Sequence, residues 1–174
     1  AINGERTSIF ENCAAHEGVS VDFLLDGVAR GVIAIPKNKN HHFDNIMAVG
    51  AGLSTKVNAN IGSSKDHQGV EQEMAKLNIA LTAGTDTVMD LSMGGDLNEV
   101  RKEILGKCPI PLGTVPIYQS VAEVVERQGR EIGEVTVDEM FDTIRQQAED
   151  GVDFMTIHCG ITRSTLERLQ GHER

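Results

Sequence analysis

Residues 54–91, STKVNANIGSSKDHQGVEQEMAKLNIALTAGTDTVMDL, contain one complete strand–helix–strand unit and indicate the fold. Residues 54–61 alternate as a strand does, and residues 87–91 (TVMDL) are predicted to be a second strand. Between them, apolar residues recur at the spacing of one helical face. They are Val70, Met74, Leu77 and Leu81. This order is typical of parallel strands joined by crossover helices, so the sequence predicts an α/β fold.

The same pattern continues to the end of the sequence. Residues 111–116 (PLGTVP) and 153–158 (DFMTIH) are predicted to be the third and fourth strands. Capping-box pairs open two of the helices. They are Asp96 with Glu99 and Thr136 with Glu139. Four units of about 30 residues each are half of a (βα)8 barrel, which takes about 250 residues. We therefore expect residues 51–174 to be the first half of a TIM-type barrel, in a chain that is truncated, with an open four-stranded sheet as the alternative.

The first 50 residues differ from this pattern and are interpreted as an N-terminal α/β lead-in. Ser20 is a predicted N-cap for a short helix, and residues 32–35 are a brief strand that stops at Pro36. Residues 37–44 (KNKNHHFD) are polar and are interpreted as a loop. We expect His41 and His42 to be solvated in that loop rather than to bind a metal, because no further ligands are evident.

Composition excludes several classes of function. The 174 residues carry 16 Lys and Arg against 26 Asp and Glu, a net charge of −10, so we expect no nucleic-acid and no membrane partner. Only 3% of the residues are aromatic, which argues against a base-stacking surface. The three cysteines, Cys13, Cys108 and Cys159, are too dispersed for a disulfide framework or a CxxC metal site. Together these features favour a cytoplasmic protein.

The candidate functional residues are those at or just past the strand ends, where parallel α/β folds bind their ligands. Asn60, Met89 and Tyr118 are spaced 29 residues apart, and His158 follows 40 residues later. Asn60 could bind a polar ring or cap its own turn. Met89 could contact a ligand or belong to the core. Tyr118, in the loop after Pro116, could bind a ligand or pack against the protein. His158 ends an apolar strand, where a titratable imidazole indicates function more than packing.

Two further residues carry weaker signals. Cys159 follows His158, but no base is spaced to activate it, so we expect an inert thiol. Lys56 is the only candidate for a Schiff-base lysine, which would be needed if the protein were an aldolase with His158 as its base. Trapping an adduct on Lys56 with borohydride would support that reading.

Four longer segments and one shorter one carry a specific resemblance. They are residues 57–62 (VNANIG), 86–92 (DTVMDLS), 113–119 (GTVPIYQ), 147–160 (QAEDGVDFMTIHCG) and 35–40 (IPKNKN). In order and spacing they resemble the phosphomethylpyrimidine synthase (ThiC) family, from about residue 20 to the end of the sequence. The resemblance implies a radical S-adenosylmethionine enzyme with a (βα)8 barrel.

The resemblance also implies a substrate and its contacts. The family converts 5-aminoimidazole ribotide into 4-amino-5-hydroxymethyl-2-methylpyrimidine phosphate for thiamin biosynthesis, and its ribotide-binding positions match Asn60, Met89, Tyr118 and His158. The implied cofactors are S-adenosylmethionine, a 4Fe-4S cluster and Zn, and the implied partners are a reductant and a second copy in a homodimer. The family's cluster and zinc motifs do not occur in these 174 residues, so we expect this segment alone to hold no metal and to be inactive.

Two departures from the family pattern leave the product open. Met93 stands where the family usually has Thr in DLSTGG, and Lys39 replaces an apolar residue in the IPKN motif. We expect both to lie in loops near the substrate. The paralogous 5-hydroxybenzimidazole synthases, which make a cobamide lower ligand from the same ribotide, are therefore an alternative. A non-catalytic ribotide-binding fragment is a further alternative.

Overall fold

The first elements of the described chain are two helices and a short antiparallel pair of strands. The computed structural model describes residues 5–64 and 69–170. The N-terminal elements are α1 (Ser8–Glu17), α2 (Val21–Ala29), β1 (Ile33–Ala34) and β2 (Val49–Gly50). The Ser20 hydroxyl caps α2 by accepting from the Phe23 N–H at 3.1 Å, as predicted. Helix α1 was not predicted, and β1 is shorter than expected because only two of its residues pair with β2.

The rest of the described chain alternates strands and helices. Its elements are β3 (Asn58–Ile61), α3 (Val70–Thr82), β4 (Thr87–Asp90), α4 (Leu97–Lys107), β5 (Leu112–Thr114), α5 (Pro116–Ala122), α6 (Val137–Asp150), β6 (Phe154–Met155) and α7 (Arg163–Gln170). A π-helical turn (Glu123–Arg127) and a 3-10 turn (Ile132–Glu134) connect α5 to α6. The α/β class predicted from the sequence is confirmed.

The four strands β3 to β6 form one parallel sheet in chain order. One face packs on helices: Ile61, Val88 and Leu112 from three neighbouring strands belong to a core cluster with side chains of α3 and α4. Because strand residues alternate between the two faces, the intervening residues lie on the opposite face. A four-stranded parallel sheet with helices on one face is consistent with part of an α/β barrel.

Both predicted helix starts are present. The start of α4 has an N-cap, and the start of α6 has a full capping box. The Asp96 carboxylate accepts from the Asn98 and Glu99 N–H groups at the start of α4. At the start of α6, Thr136 and Glu139 form a reciprocal capping box. The Thr136 N–H and the guanidinium of Arg130 lower the pKa of Glu139 to about 2. The carboxylate of Glu139 is therefore strongly favoured over its protonated form.

The loop that follows β1 is docked against the main sheet, and one interpretation made from its sequence was wrong. His41 is only 2% exposed. Its Nδ1 lies 2.6 Å from Asp153 Oδ2, and its Nε2 lies 2.9 Å from the Cys108 carbonyl oxygen. The sequence around His41 is polar, but the ring is buried because two distant acceptors, just before β5 and β6, satisfy both of its nitrogens. His42 is exposed, as expected.

Asparagine side chains complete this docking. The Asn38 amide donates to the carbonyls of Ala148 and Val152, and its N–H donates to Asp153. The Asn40 amide donates to the Glu149 carbonyl. The bonds to Ala148 and Glu149 satisfy carbonyls in the last turn of α6, which would otherwise lack helical partners. The loop thus lies at the amino end of the sheet.

Among the described residues, no helix is both long enough and apolar enough to cross a bilayer.

Candidate functional site

The face of the sheet that carries no helices presents a row of paired residues. Asn60 is paired with Met89, Met89 with Gly113, and Gly113 with Phe154 on successive parallel strands. Gly113 is required in this row because a Cβ there would lie 2.3 Å from the Phe154 ring. Phe154 therefore lies directly over the β5 backbone and leaves Asn60 and Met89 accessible beside it.

Asn60 is exposed at the outer strand of the sheet, and a neighbour orients its amide. The Asn58 side chain donates to Asn60 Oδ1 at 2.8 Å, and Asn58 Oδ1 accepts from the Thr87 hydroxyl at 2.8 Å. This two-step chain directs the amide group of Asn60 without covering it. An exposed, oriented amide can both donate to and accept from a polar ligand.

Met89 lies half-buried next to Asn60. The Thr156 hydroxyl is 3.8 Å from Met89 Sδ, so β4 and the segment after β6 meet across the open face. A polarizable thioether in this position can pack against a flat ring. Thr156 precedes His158 by two residues and thereby connects the Asn60–Met89 pair to the next pair of candidates.

Tyr118 and His158 form the second pair, with ring centroids 6.1 Å apart and ring planes inclined by 38°. Tyr118 is in the first turn of α5, not in a loop as predicted, because Pro116 starts a helix at its first position. His158 is exposed and lies three residues beyond β6, whose pairing with β5 ends at Met155; the prediction that His158 ends the strand was wrong.

Beside this second pair is an open pocket of about 450 Å³ with mainly apolar walls. Its lining comprises Met93, Ile117, Tyr118, Val121, Ala122, Val125, Ile132, His158 and Ile161. Of the two departures from the family pattern, Met93 lies in this pocket with Tyr118 and His158. Lys39 does not: it stands between Asn38 and Asn40, which are held at the amino end of the sheet. Lys39 therefore lies at the opposite end of the strands from the candidate ribotide-binding residues.

On the helix-covered side of the sheet lies a buried polar cluster that was not predicted from the sequence. Arg101, 2% exposed, donates to Asp150, Asn98 and the side-chain oxygen of Gln119. The sequence does contain a sign of this cluster, because Arg101 occupies a position on the apolar face of α4, with Val100 and Ile104. A charged residue at such a position needs buried partners.

Asp90 borders this cluster and follows Met89 in β4. Burial raises the pKa of Asp90, although the hydroxyl and N–H of Ser92 both donate to its Oδ1 and act in the opposite direction. Because Asp90 faces the helices while Met89 faces the open side, the carboxyl of Asp90 belongs to the support of the site and not to its surface.

Lys56 lies at the opposite end of the open face, on the wall of a cavity of about 360 Å³. Its ammonium group donates to Glu17 Oε2 at 2.9 Å and to Ser54. Burial alone would raise the pKa of Glu17, but hydrogen bonds from Lys56 and from the Ala48 N–H outweigh it and lower that pKa. Glu17 is therefore ionised, and Lys56 is held as its counter-ion, which disfavours a Schiff-base role.

The implied metal cofactors do not fit the described residues. Within residues 5–64 and 69–170, no three Cys, His, Asp or Glu side chains lie close enough together to hold a metal ion. Cys13 and Cys108 are buried, and burial raises the pKa of each thiol to about 11, the opposite of what a thiolate ligand needs. Cys159 is exposed.

Comparison with known proteins agrees with the motifs. A model of the Radical SAM ThiC family matches residues 1–174. The chain is 60% identical over 174 residues to the phosphomethylpyrimidine synthase of Desulfotalea psychrophila, covering all of this chain and 40% of that protein. It is 48% identical over 171 residues to the enzyme of the same name from Moorella thermoacetica, covering 98% of this chain and 39% of that protein. The chain thus spans about two fifths of the length of these curated relatives.

Proposed function

The chain belongs to the Radical SAM ThiC family, and we propose that the intact protein converts 5-aminoimidazole ribotide into 4-amino-5-hydroxymethyl-2-methylpyrimidine phosphate. The observation that supports this proposal is the arrangement of four candidate residues along the open face of the sheet and beside it. The paired residues Asn60 and Met89 lie on the open face, and Thr156 connects them to the Tyr118–His158 pair. Hydrogen-bonding groups beside apolar surface are what a flat, polar heterocycle on a sugar phosphate requires.

Each residue has a role that follows from its side chain. Asn60 offers an oriented amide for hydrogen bonds to the ribotide, and Met89 packs against its ring. The Tyr118 hydroxyl and the His158 imidazole supply polar contacts from the other side. The exposed thiol of Cys159 has no catalytic part in this proposal.

The remaining parts of the proposal concern the whole protein. Residues 51–174 are the first half of a (βα)8 barrel, and residues 1–50 are the lead-in, whose loop over residues 38–41 contacts the amino end of the strands. S-adenosylmethionine with a 4Fe-4S cluster would supply the radical chemistry when bound. The ligands of that cluster and of a Zn ion would come from outside this segment, since its described residues offer no metal site. Residues 1–174 alone are therefore inactive, and the intact enzyme is a homodimer that receives electrons from a reductant.

The alternative product is 5-hydroxybenzimidazole, and one specific observation keeps it in view. Met93, which replaces the usual Thr, lines the pocket beside Tyr118 and His158. Anaerobic turnover of ribotide with S-adenosylmethionine and a reductant, followed by mass spectrometry, distinguishes the two. We expect the pyrimidine phosphate from both the wild type and Met93→Thr. Formation of 5-hydroxybenzimidazole by the wild type would contradict the proposal.

A further inference from the structure

Gln119 directly follows Tyr118 in α5 but belongs to the buried polar cluster behind the sheet. It is 3% exposed, whereas Tyr118 is half-buried beside His158. We infer that Gln119 is a positioning residue that holds Tyr118 in place for ligand binding. This inference rests on the proposed function for the identity of the ligand, and on geometry for the positioning.

The side chain of Gln119 is bonded to three other elements or turns. Its Oε1 accepts from Arg101 Nη1 at 2.7 Å and from Gln147 Nε2 at 2.9 Å. Its Nε2 donates to Asn98 Oδ1 at 3.0 Å and to Glu123 Oε1 at 2.8 Å. All four hydrogen-bonding positions of the amide are therefore occupied, which fixes both its place and its orientation.

The partners of Gln119 are themselves anchored. Gln147, on α6, accepts from the Thr114 hydroxyl of β5 at 2.7 Å. Arg101, on α4, is held by Asp150 at the end of α6. Gln119 thus connects α5 to a strand and to two helices, and a fully bonded buried network of this kind makes a rigid support.

Helix α5 has few other polar attachments. It is seven residues long, its N-cap Val115 has no capping side chain, and it continues into a π-helical turn. The Ser120 hydroxyl bonds within the helix to the Pro116 carbonyl and makes one long contact with Met140 Sδ. Of the α5 side chains, Gln119 is therefore the principal polar anchor to neighbouring elements.

Because Gln119 and Tyr118 are neighbours in one helix, anchoring Gln119 also restrains Tyr118. Successive residues of an α-helix are about 100° apart around the axis, so fixing the direction of Gln119 also fixes the direction of Tyr118. Without the anchor, α5 can turn about its axis, and Tyr118 would face His158 for only part of the time. If that part were about a tenth, the apparent affinity for ribotide would fall about tenfold.

The test uses Gln119→Leu in the intact protein, labelled with fluorotyrosine. The resonance that disappears in Tyr118→Phe identifies Tyr118 by 19F NMR, and calorimetry measures ribotide affinity. Thr143→Val is the matched control, because Thr143 is also buried but its hydroxyl bonds only within α6. We expect Gln119→Leu to shift or broaden the Tyr118 resonance and to weaken ribotide binding about tenfold. Thr143→Val should do neither.

The outcomes separate the two proposals. If the wild type does not bind ribotide, the proposed function fails, and the 19F resonance alone decides whether Gln119 positions Tyr118. An unchanged resonance in Gln119→Leu overturns the inference, as do equal effects of Thr143→Val. If Gln119→Leu does not fold, Gln147→Leu removes one of the four bonds instead, and it must change the Tyr118 resonance for the inference to stand.

Discussion

His41 Nδ1 lies 2.6 Å from Asp153 Oδ2, a contact between residues 112 positions apart in the sequence. The other ring nitrogen of His41 meets the Cys108 carbonyl, which can only accept. The Asp153 carboxyl also accepts from the N–H groups of Asn38 and Leu112. Both ring nitrogens of His41 therefore meet hydrogen-bond partners from distant segments, and the buried His41–Asp153 contact joins the lead-in to the sheet.

Removing His41 should therefore destabilise the protein strongly. His41→Ala leaves the buried Asp153 carboxyl and the Cys108 carbonyl without their shared partner, and a buried polar group left unsatisfied costs about 1–3 kcal/mol. The free energy of unfolding from urea denaturation measures the loss. His42→Ala, at the exposed neighbouring position, is the control and should change it little. Equal stability of the two variants would show that His41 does not hold the lead-in.

The cysteines should differ in reactivity. Burial raises the pKa of Cys13 and of Cys108 to about 11, so almost no thiolate forms at pH 8, and neither sulfur is exposed. Cys159 is exposed. Iodoacetamide followed by peptide mass spectrometry should find Cys159 alkylated and the other two unmodified in the native protein. Alkylation of Cys13 or Cys108 at a similar rate would contradict the packing described for them.

Glu139 should contribute stability that depends on pH. Its pKa is about 2 in the folded protein against an ordinary value of 4.5, so folding favours the carboxylate. This contribution is complete above about pH 4.5 and is lost as the pH falls towards 2. Glu139→Gln should therefore lower the thermal midpoint at pH 6 more than at pH 2.5. Glu149→Gln on the same helix is the control. A deficit that is the same at both pH values would refute the ion-pair and capping account.

The sequence could predict the strands and the candidate positions because both depend on local patterns. Alternation in β3 and β4 separates Asn60 and Met89 from the core residues next to them, and the spacing of the units brings them into register. The helix at Tyr118 was also predictable from Pro116, which is favoured at the first position of a helix. It was missed because the short apolar run around Pro116 also fits a strand and loop.

The long-range contacts could not be predicted from local sequence patterns. His41 sits in a polar stretch, and its burial depends on acceptors from two distant segments. Strand β6 pairs with β5 only at Phe154 and Met155, so the strand predicted over residues 153–158 was too long. The Gln119 cluster likewise draws its members from α4, α5 and α6.

The central claim is that Asn60 and His158 bind the ribotide, and calorimetric titration of 5-aminoimidazole ribotide into the intact protein tests it most directly. Loss of a hydrogen bond that becomes buried on binding costs about 1–3 kcal/mol, so Asn60→Ala and His158→Ala should each weaken affinity by that amount. Asn78→Ala, in α3 outside the site, is the control and should bind as the wild type does. Unchanged affinity in both site variants, with normal binding by the wild type, would contradict the account.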